Sequence, residues 1–243
     1  KKIRQLGHIA RSHPQLHILA PTEPLAAPFI DAGFSSDSVV PCPVYMPALN
    51  QSHTQITATP TLLYTGAART DKGFIAFVEY LEFALANDMN FPIHVQATPP
   101  HNKRYNSLIK PFISRLNTLR SPLLTISDQP LAQKEYVSLF SNAITMLLYS
   151  PDSYHNKFSG VMLESLLHGA PVITTEGTWF SQIIKNHQAG IVIADCQPTT
   201  IHQAVKQLGM EYARYQANAL KAASVLHEKH HPRHTLSAVL LPL

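Results

Sequence analysis

Residues 66–73 of this chain read Gly66-Ala67-Ala68-Arg69-Thr70-Asp71-Lys72-Gly73. The stretch follows an apolar run, residues 61–65, that is typical of a buried strand. Apolar residues at helical spacing come after it, and Thr70 is suited to cap the helix that they predict. The pattern therefore predicts a strand, a turn of small residues and a helix, in that order.

Two basic side chains lie at the start of the predicted helix. The first amides of a helix lack an intrahelical partner, and the helix dipole is positive at that end, so the position favours an anion. Arg69 and Lys72 add two cationic groups, which indicates a phosphate-binding turn. An ordinary turn with two surface cations is the alternative, and this stretch alone leaves both interpretations open.

A second strand, predicted for residues 144–149, leads into a polar turn and then into a short helix. Ser159 and Gly160 begin that helix, and Gly169 is suited to end it. Glu164 lies in the helix, whose start again faces the carboxyl end of a strand. Its carboxylate either complements the helix dipole or, beside a phosphate-binding turn, accepts hydrogen bonds from ribose hydroxyls.

The first stretch resembles a motif of the retaining glycosyltransferases called group 1, or family 4, which have the GT-B fold. That motif is a Gly, a short variable run and then Lys-Gly at the start of a helix. Gly66, Lys72 and Gly73 match it at the usual separation. Many members have an Arg directly after the first Gly, where this chain has Ala67, and Arg69 comes two residues later.

The second stretch resembles the family's other motif, two acidic residues eight apart that precede a Gly-x-Pro-Val turn. Glu164 matches the second acid, and residues 169–172 match the turn. Asn156 stands at the position of the first acid. The resemblance covers most of residues 57–240.

The resemblance implies an enzyme that moves a sugar from a nucleoside-diphosphate sugar to an acceptor hydroxyl, with retention of configuration. Arg69 and Lys72 would be its catalytic residues, because they would stabilise the charge that the diphosphate gains as leaving group. Glu164 would bind the ribose, residues 127–131 would meet the base, and residues 174–178 would face the sugar. The implied donor-binding residues are Gly66, Leu131, Asn156, Ser159, Gly160, Val161, Glu164, Thr175 and Gly177. Neither a metal nor a cofactor is expected, since cations and helix N-termini take that role.

Strand-like and helix-like segments alternate along the whole chain. This alternation predicts an α/β fold, a Rossmann-like doubly wound parallel sheet, with a partial second domain. The predicted strands span residues 16–20, 38–42, 61–65, 92–97, 122–127, 144–149, 171–175 and 190–194. The predicted helices span residues 1–12, 22–33, 72–87, 104–118, 132–142, 160–168, 178–187 and 199–226.

A domain boundary is predicted in the polar segment of residues 48–58. By the resemblance, residues 1–50 would be the end of an amino-terminal acceptor-side domain and a linker, and residues 51–225 would be the nucleotide-sugar-binding domain. Residues 226–243 are predicted to form a carboxy-terminal helix or tail. The first segment is too small to close a core of its own, so we expect the sequence to be a fragment of a longer protein, and the resemblance implies that the missing part holds most of the acceptor site.

Composition and charge limit the classes of protein to which this chain can belong. A net charge of +4 without a long basic run does not indicate nucleic-acid binding. Cys42 and Cys196 fit neither a metal motif nor a disulfide framework, which predicts a reducing, cytoplasmic location. No segment is long and apolar enough for a membrane span. The acceptor, a saccharide or a lipid-linked molecule, stays open, as does peripheral membrane association of the full-length protein.

The histidines predict no second site. His227, His230, His231 and His234 share a helical face, but Pro232 interrupts it and no acidic or cysteine partner completes a metal site, so a polar terminal helix is favoured. His94 lies in a predicted core strand, which favours a buried structural histidine.

Two alternative functions stay open at this point. One is a nucleotide-sugar epimerase with the same fold, which would use the same crevice for other chemistry. The other is a non-catalytic module that binds a nucleotide sugar, and Asn156 in place of an acid is the feature that favours it.

Overall fold

The computed structural model describes residues 2–13, 16–35, 39–41, 59–100 and 104–240. For residues 39–41, 238 and 239, the structure describes the backbone alone. Cys42 and the predicted linker of residues 48–58 lie outside the described residues, so the expectations about them stay predictions.

In the ranges that the structure describes, eight strands form two parallel sheets. The strands are β1 (Ile18–Ala20), β2 (Val39–Pro41), β3 (Thr61–Tyr64), β4 (Ile93–Gln96), β5 (Leu124–Ser127), β6 (Ala143–Leu147), β7 (Val172–Thr175) and β8 (Gly190–Ile193). β1 pairs with β2, and the other six form one sheet in the order β5-β4-β3-β6-β7-β8. The strand order reverses between β3 and β6, and the crevice at such a reversal, outside the carboxyl ends of the strands, is where α/β proteins bind ligands.

Eleven α-helices are present in the described part of the chain. They are α1 (Lys2–Ser12), α2 (Glu23–Asp31), α3 (Phe74–Ala86), α4 (Lys110–Thr118), α5 (Gln133–Ser138), α6 (Pro151–Tyr154), α7 (Gly160–Leu167), α8 (Trp179–His187), α9 (Pro198–Met210), α10 (Tyr212–Lys229) and α11 (Pro232–Leu240). A core cluster with α3, α4 and α9 covers one face of the large sheet, and a cluster with α7, α8 and α10 covers the other. The predicted doubly wound fold is therefore confirmed.

The central strands show why the sequence predicts this fold. All five residues of β6 are buried, as are three of the four in β3. Alternate residues of β3 enter different cores: Leu62 and Tyr64 join the cluster with α3, whereas Leu63 packs beside Phe140 and Ala170. Strands covered on both faces need continuous apolar runs, and such runs are what the sequence contains.

The predicted helix of residues 199–226 is wrong, because the chain forms α9 and α10 with a break at Glu211. α9 packs against α3 on one face of the sheet, whereas α10 packs against α7 on the other. One straight helix could not cover both faces, so the chain turns between them. α10 also continues to Lys229, past the expected domain end at residue 225. α11 then begins at Pro232.

The amino-terminal segment of β1, β2, α1 and α2 contacts the larger unit beside the predicted donor site. The Thr22 hydroxyl donates a hydrogen bond of 2.7 Å to the carbonyl oxygen of Asn156. The Glu23 carboxylate accepts a hydrogen bond of 2.8 Å from the Trp179 indole and forms an ion pair with Lys229. These two residues therefore fasten α2 to α8, to α10 and to the loop after β6.

The ion pair of Glu23 makes stability depend on pH. Burial alone would raise the pKa of Glu23, but the hydrogen bonds from Lys229 and Trp179 lower it to about 2. Because the pKa of Glu23 is lower in the folded than in the unfolded state, its ionised carboxylate stabilises the fold at pH values above the unfolded pKa. That stability is lost as the pH falls toward 2.

We expect Glu23→Gln to lower the free energy of unfolding at pH 7 by roughly 1 kcal/mol, a value discounted for solvent screening because the side chain is 60% exposed. Urea denaturation at pH 7 and at pH 2.5 measures the effect, with Glu79→Gln on the exposed face of α3 as control. The difference from the parent protein should shrink at the lower pH. An equal loss at both pH values would contradict the role given to the charge.

Candidate functional site

The loop after β3 packs tightly against the loop after β6. Gly66 and Gly73 have φ values of +115° and +70°, which favour glycine. A Cβ atom at Gly73 would overlap the carbonyl group of Leu148. The Ser150 amide donates a hydrogen bond of 3.0 Å to the carbonyl oxygen of Asp71. The two predicted motifs therefore meet at the point where the strand order reverses.

The predicted start of the first helix needs correction. Thr70–Lys72 form a single 3₁₀ turn, and α3 begins only at Phe74 with Gly73 as its N-cap. Thr70 does not cap α3. The left-handed backbone of Gly73 separates the turn from the helix, because a helix cannot continue through positive φ.

Lys72 presents a half-buried ammonium group between the two loops. Its Nζ lies 5.5 Å from the centre of the Tyr149 ring, a cation–π distance. A Cβ atom at Gly66 would lie only 3.3 Å from the same Nζ. Burial lowers the pKa of Lys72, as does Arg69. None of the described carboxylates forms an ion pair with Lys72, so its charge is available to a bound anion.

Arg69 is held by a carboxylate of its own loop. Its Nε donates a hydrogen bond of 2.8 Å to Oδ1 of Asp71, and its Nη2 donates to Oδ2. This pairing raises the pKa of Arg69. Asp71 is a site residue that sequence reasoning missed, because residues two apart in a loop have no fixed relative orientation. An anion that binds Arg69 would have to share it with Asp71.

Glu164 lies within electrostatic reach of Lys72, since each affects the pKa of the other. The Tyr136 hydroxyl donates a hydrogen bond of 2.7 Å to Oε2 of Glu164. Burial raises the pKa of Glu164, whereas the bond from Tyr136 and the charge of Lys72 act in the opposite direction. Tyr136 comes from α5 and is 28 residues from Glu164, so no sequence spacing indicated this contact.

The start of α7 is formed as the sequence predicts. The Ser159 side chain caps it by accepting a hydrogen bond of 3.2 Å from the amide of Met162. Gly160 faces open space, since an added Cβ atom would meet nothing within 4 Å. Val161 is half-buried in the same first turn. Gly169, with φ of +69°, ends the helix.

A cleft of about 900 Å³ opens at the carboxyl ends of β3, β4 and β5. Its lining residues are Ala67, Arg69, Lys72, Thr98, Pro99, Pro100, Tyr105, Asp128, Gln129 and Pro130. Both predicted catalytic residues are among them, and Leu131 directly follows the last. Glu164 and the first turn of α7 lie on the β6 side instead. The structure therefore places the predicted residues around the crevice, with the cations between its two sides.

The residues after β7 are largely engaged with the protein itself. The Thr175 hydroxyl lies 3.6 Å from Sγ of Cys196, and its side chain is buried. Gly177 has φ of +82° and packs against Pro151. Thr178 caps α8 by accepting a hydrogen bond of 3.2 Å from the Ser181 amide. Of the residues in this turn, Glu176 and Gly177 are exposed, whereas Thr175 and Thr178 are buried.

The structural expectations about the histidines are met in part. His94 is half-buried rather than buried in β4, its Nε2 lies 3.2 Å from the Ser127 hydroxyl, and this burial lowers the pKa of His94. The rings of His227 and His231 are 5.9 Å apart, and Pro232 begins a new helix after them. In the described ranges, no three His, Cys, Asp or Glu side chains are placed to hold a metal ion. Nor does any described helix have the length and apolar character to cross a bilayer.

The comparisons with known proteins identify similar structures but no similar sequences. No protein-family model and no curated protein matches the sequence. HepE from Anabaena, solved with UDP and glucose, superposes with a TM-score of 0.64 at 11% identity, over 93% of this chain and 63% of HepE. A TarM variant from S. aureus, solved with UDP among its ligands, gives 0.66 at 14% identity, over 92% of this chain and 43% of TarM.

A third structure covers a single domain. It is the carboxy-terminal domain of the group 1 glycosyltransferase LpcC from Francisella tularensis, with a TM-score of 0.55 at 16% identity, over 70% of this chain and 86% of that domain. The chain spans less than two thirds of the length of HepE. At such low identities, the likeness establishes the fold. The chain therefore has the GT-B-type α/β fold of the group 1 glycosyltransferases, as the sequence resemblance predicts.

Proposed function

We propose that this chain is the donor-binding part of a glycosyltransferase that uses a nucleoside-diphosphate sugar. The observation that carries the proposal is the half-buried ammonium of Lys72, which lies at the strand-order reversal, pairs with no described carboxylate and lines the large cleft. A buried cation without a counter-ion is costly unless a ligand supplies the charge. The resemblance of both motifs and the shared fold support a diphosphate as that ligand.

The proposed reaction needs stabilisation of a leaving group. The bond between the anomeric carbon and the diphosphate oxygen breaks with its electron pair left on the diphosphate, which gains negative charge. A bond from the anomeric carbon to the acceptor oxygen forms, and the hydroxyl proton passes to the departing diphosphate. Lys72 and Arg69 would stabilise that charge, together with the amides at the start of α7. Glu164 would orient the ribose. We further propose that the transfer retains the anomeric configuration of the sugar and takes place in the cytoplasm. The acceptor hydroxyl would belong to a saccharide or a lipid-linked molecule.

Calorimetric titration with UDP, GDP and ADP tests the proposed ligand. We expect at least one of the three to bind with measurable heat, and to bind equally well with EDTA present, because side-chain cations rather than a divalent ion would hold the diphosphate. Bound ligand also stabilises the fold, by ~2.7 kcal/mol at a hundredfold excess over Kd. The unfolding temperature should therefore rise with the same nucleotide that gives heat. No heat with any nucleotide at millimolar concentration would refute the proposal.

A non-catalytic nucleotide-sugar-binding module is the second candidate. Two observations favour it. Asn156 stands where the motif has its first acid, and its backbone carbonyl oxygen accepts a hydrogen bond from the Thr22 hydroxyl. Arg69 already forms an ion pair with Asp71. A transfer assay with radiolabelled donor separates the two candidates. Labelled product with the donor's anomeric configuration supports the enzyme, and binding without transfer across a broad acceptor panel supports the module.

A further inference from the structure

The loop that carries both proposed phosphate ligands also carries a carboxylate that faces one of them. Asp71 lies between Arg69 and Lys72 in sequence and forms a two-pronged ion pair with the guanidinium of Arg69. Its side chain is 20% exposed, against 43% for Arg69. The carboxylate is therefore the more sheltered partner, and water screens its charge only in part.

Asp71 is fixed in this position by the backbone. It is the middle residue of the 3₁₀ turn Thr70–Lys72, and its carbonyl oxygen accepts the Ser150 amide from the loop after β6. Its charge reaches the neighbouring groups, because it opposes the lowering of the pKa of Lys72 and adds to the raising of the pKa of Tyr149. A negative charge is thus built into the edge of the cation site.

Such a charge acts differently on the two diphosphate species of the proposed reaction. A free nucleoside diphosphate ends in a phosphate monoester-type group, which gains a second negative charge with a pKa near ~6. In the nucleotide sugar that oxygen is esterified, so the ligand has one charge fewer. A phosphate bound by Arg69 and Lys72, as proposed above, would lie beside the carboxylate that pairs with Arg69. That carboxylate would repel the free diphosphate more strongly than the sugar ester.

We propose that Asp71 is a specificity-determining residue that weakens the binding of the free diphosphate relative to the nucleotide sugar. This inference rests on the proposed function. Lys72 and Arg69 attract both species, and Asp71 offsets part of that attraction for the species with the extra charge. The product would then leave the site more readily, a step that limits turnover in many enzymes.

The test compares UDP with UDP-glucose, GDP with GDP-glucose and ADP with ADP-glucose, titrated into the parent protein and into Asp71→Asn. Asparagine keeps the shape and one oxygen for Arg69 but removes the charge. At pH 7.5 and low salt we expect about tenfold tighter binding of the free diphosphate and about threefold tighter binding of the sugar ester, a modest charge effect at a partly exposed position. The difference should shrink in 1 M NaCl.

Two further variants separate charge from positioning. Glu79→Gln removes a carboxylate from the exposed face of α3 and should leave both affinities unchanged. In an Arg69→Gln background, Asp71→Asn should still tighten the binding of the free diphosphate more than that of the sugar ester, because the repulsion acts on the ligand directly. A residue that merely orients Arg69 would show no effect there. Asp71→Ser, also uncharged, replaces Asp71→Asn if urea denaturation shows that the latter is unfolded.

Each outcome bears on the proposal. A larger gain for the free diphosphate than for the sugar ester supports it. Equal changes for the two species, or weaker binding of both, overturn it while leaving the proposed function standing. Absence of binding by any nucleotide to the parent protein overturns the proposed function and this inference together.

Discussion

Replacing Lys72 by methionine is expected to weaken the binding of a nucleoside diphosphate by roughly 1.5–3 kcal/mol, the range for hydrogen bonds to charged groups. The ammonium is half-buried and has no described ion-pair partner, so a bound phosphate would be its counter-ion. Methionine keeps an apolar chain over the Tyr149 ring, which limits the loss of packing. Binding of the bare nucleoside should hardly change. Titration calorimetry with diphosphate and nucleoside measures both effects.

The control for this prediction is Lys221→Met, which removes an exposed ammonium from α10, far along the chain from either motif. It should leave both affinities unchanged. If Lys72→Met weakened nucleoside and diphosphate equally, the substitution would act through the fold rather than through a phosphate contact. In that case the role proposed for Lys72 would be wrong.

The second large effect is expected for Glu164→Gln, which should weaken nucleotide binding by roughly 1–3 kcal/mol and reduce the preference for ribose over 2′-deoxyribose. Glutamine keeps the shape of the side chain but removes the charge and one acceptor. Titration of matched ribo- and deoxyribonucleotides measures the change. If the parent protein bound the two sugars equally well, Glu164 would serve the helix dipole instead.

The pH dependence of nucleoside binding gives an independent check on Glu164. Burial raises the pKa of Glu164, so its carboxylate is protonated at a higher pH than that of an ordinary glutamate. Affinity should therefore fall as the pH drops through this raised value, and Glu164→Gln should remove the dependence. Tyr136→Phe deletes a hydrogen bond that lowers the pKa, so the fall should then begin at a higher pH. A shift in the opposite direction would contradict this assignment.

Much of the fold follows from local patterns. The central strands of the large sheet are predicted because parallel strands covered on both faces are continuous apolar runs, as in β3 and β6. Ser159 and Thr178 are predictable as N-caps because a hydroxyl before a helix can accept an amide three residues later. These features depend only on residues close together in the chain.

Other boundaries depend on what an element packs against. The break at Glu211 exists because α9 and α10 cover opposite faces of the sheet, and the propensities of residues 199–226 do not show it. The 3₁₀ turn before α3 likewise depends on Gly73, whose backbone lies against Leu148 of another strand-loop unit. Local sequence predicts that a helix exists there, but the neighbouring element determines where it begins.

Local sequence patterns are enough to predict a strand-turn-helix unit with Arg69 and Lys72, and a second such unit with Glu164. How these groups are paired depends on the folded chain. Asp71 turns toward Arg69, and Tyr136 from α5 reaches Glu164 from 28 residues away. Hydrogen bonds and charges act over a few ångströms in space, so the conformation of one loop selects the partner of Arg69, and the order of strands in the sheet selects the partner of Glu164.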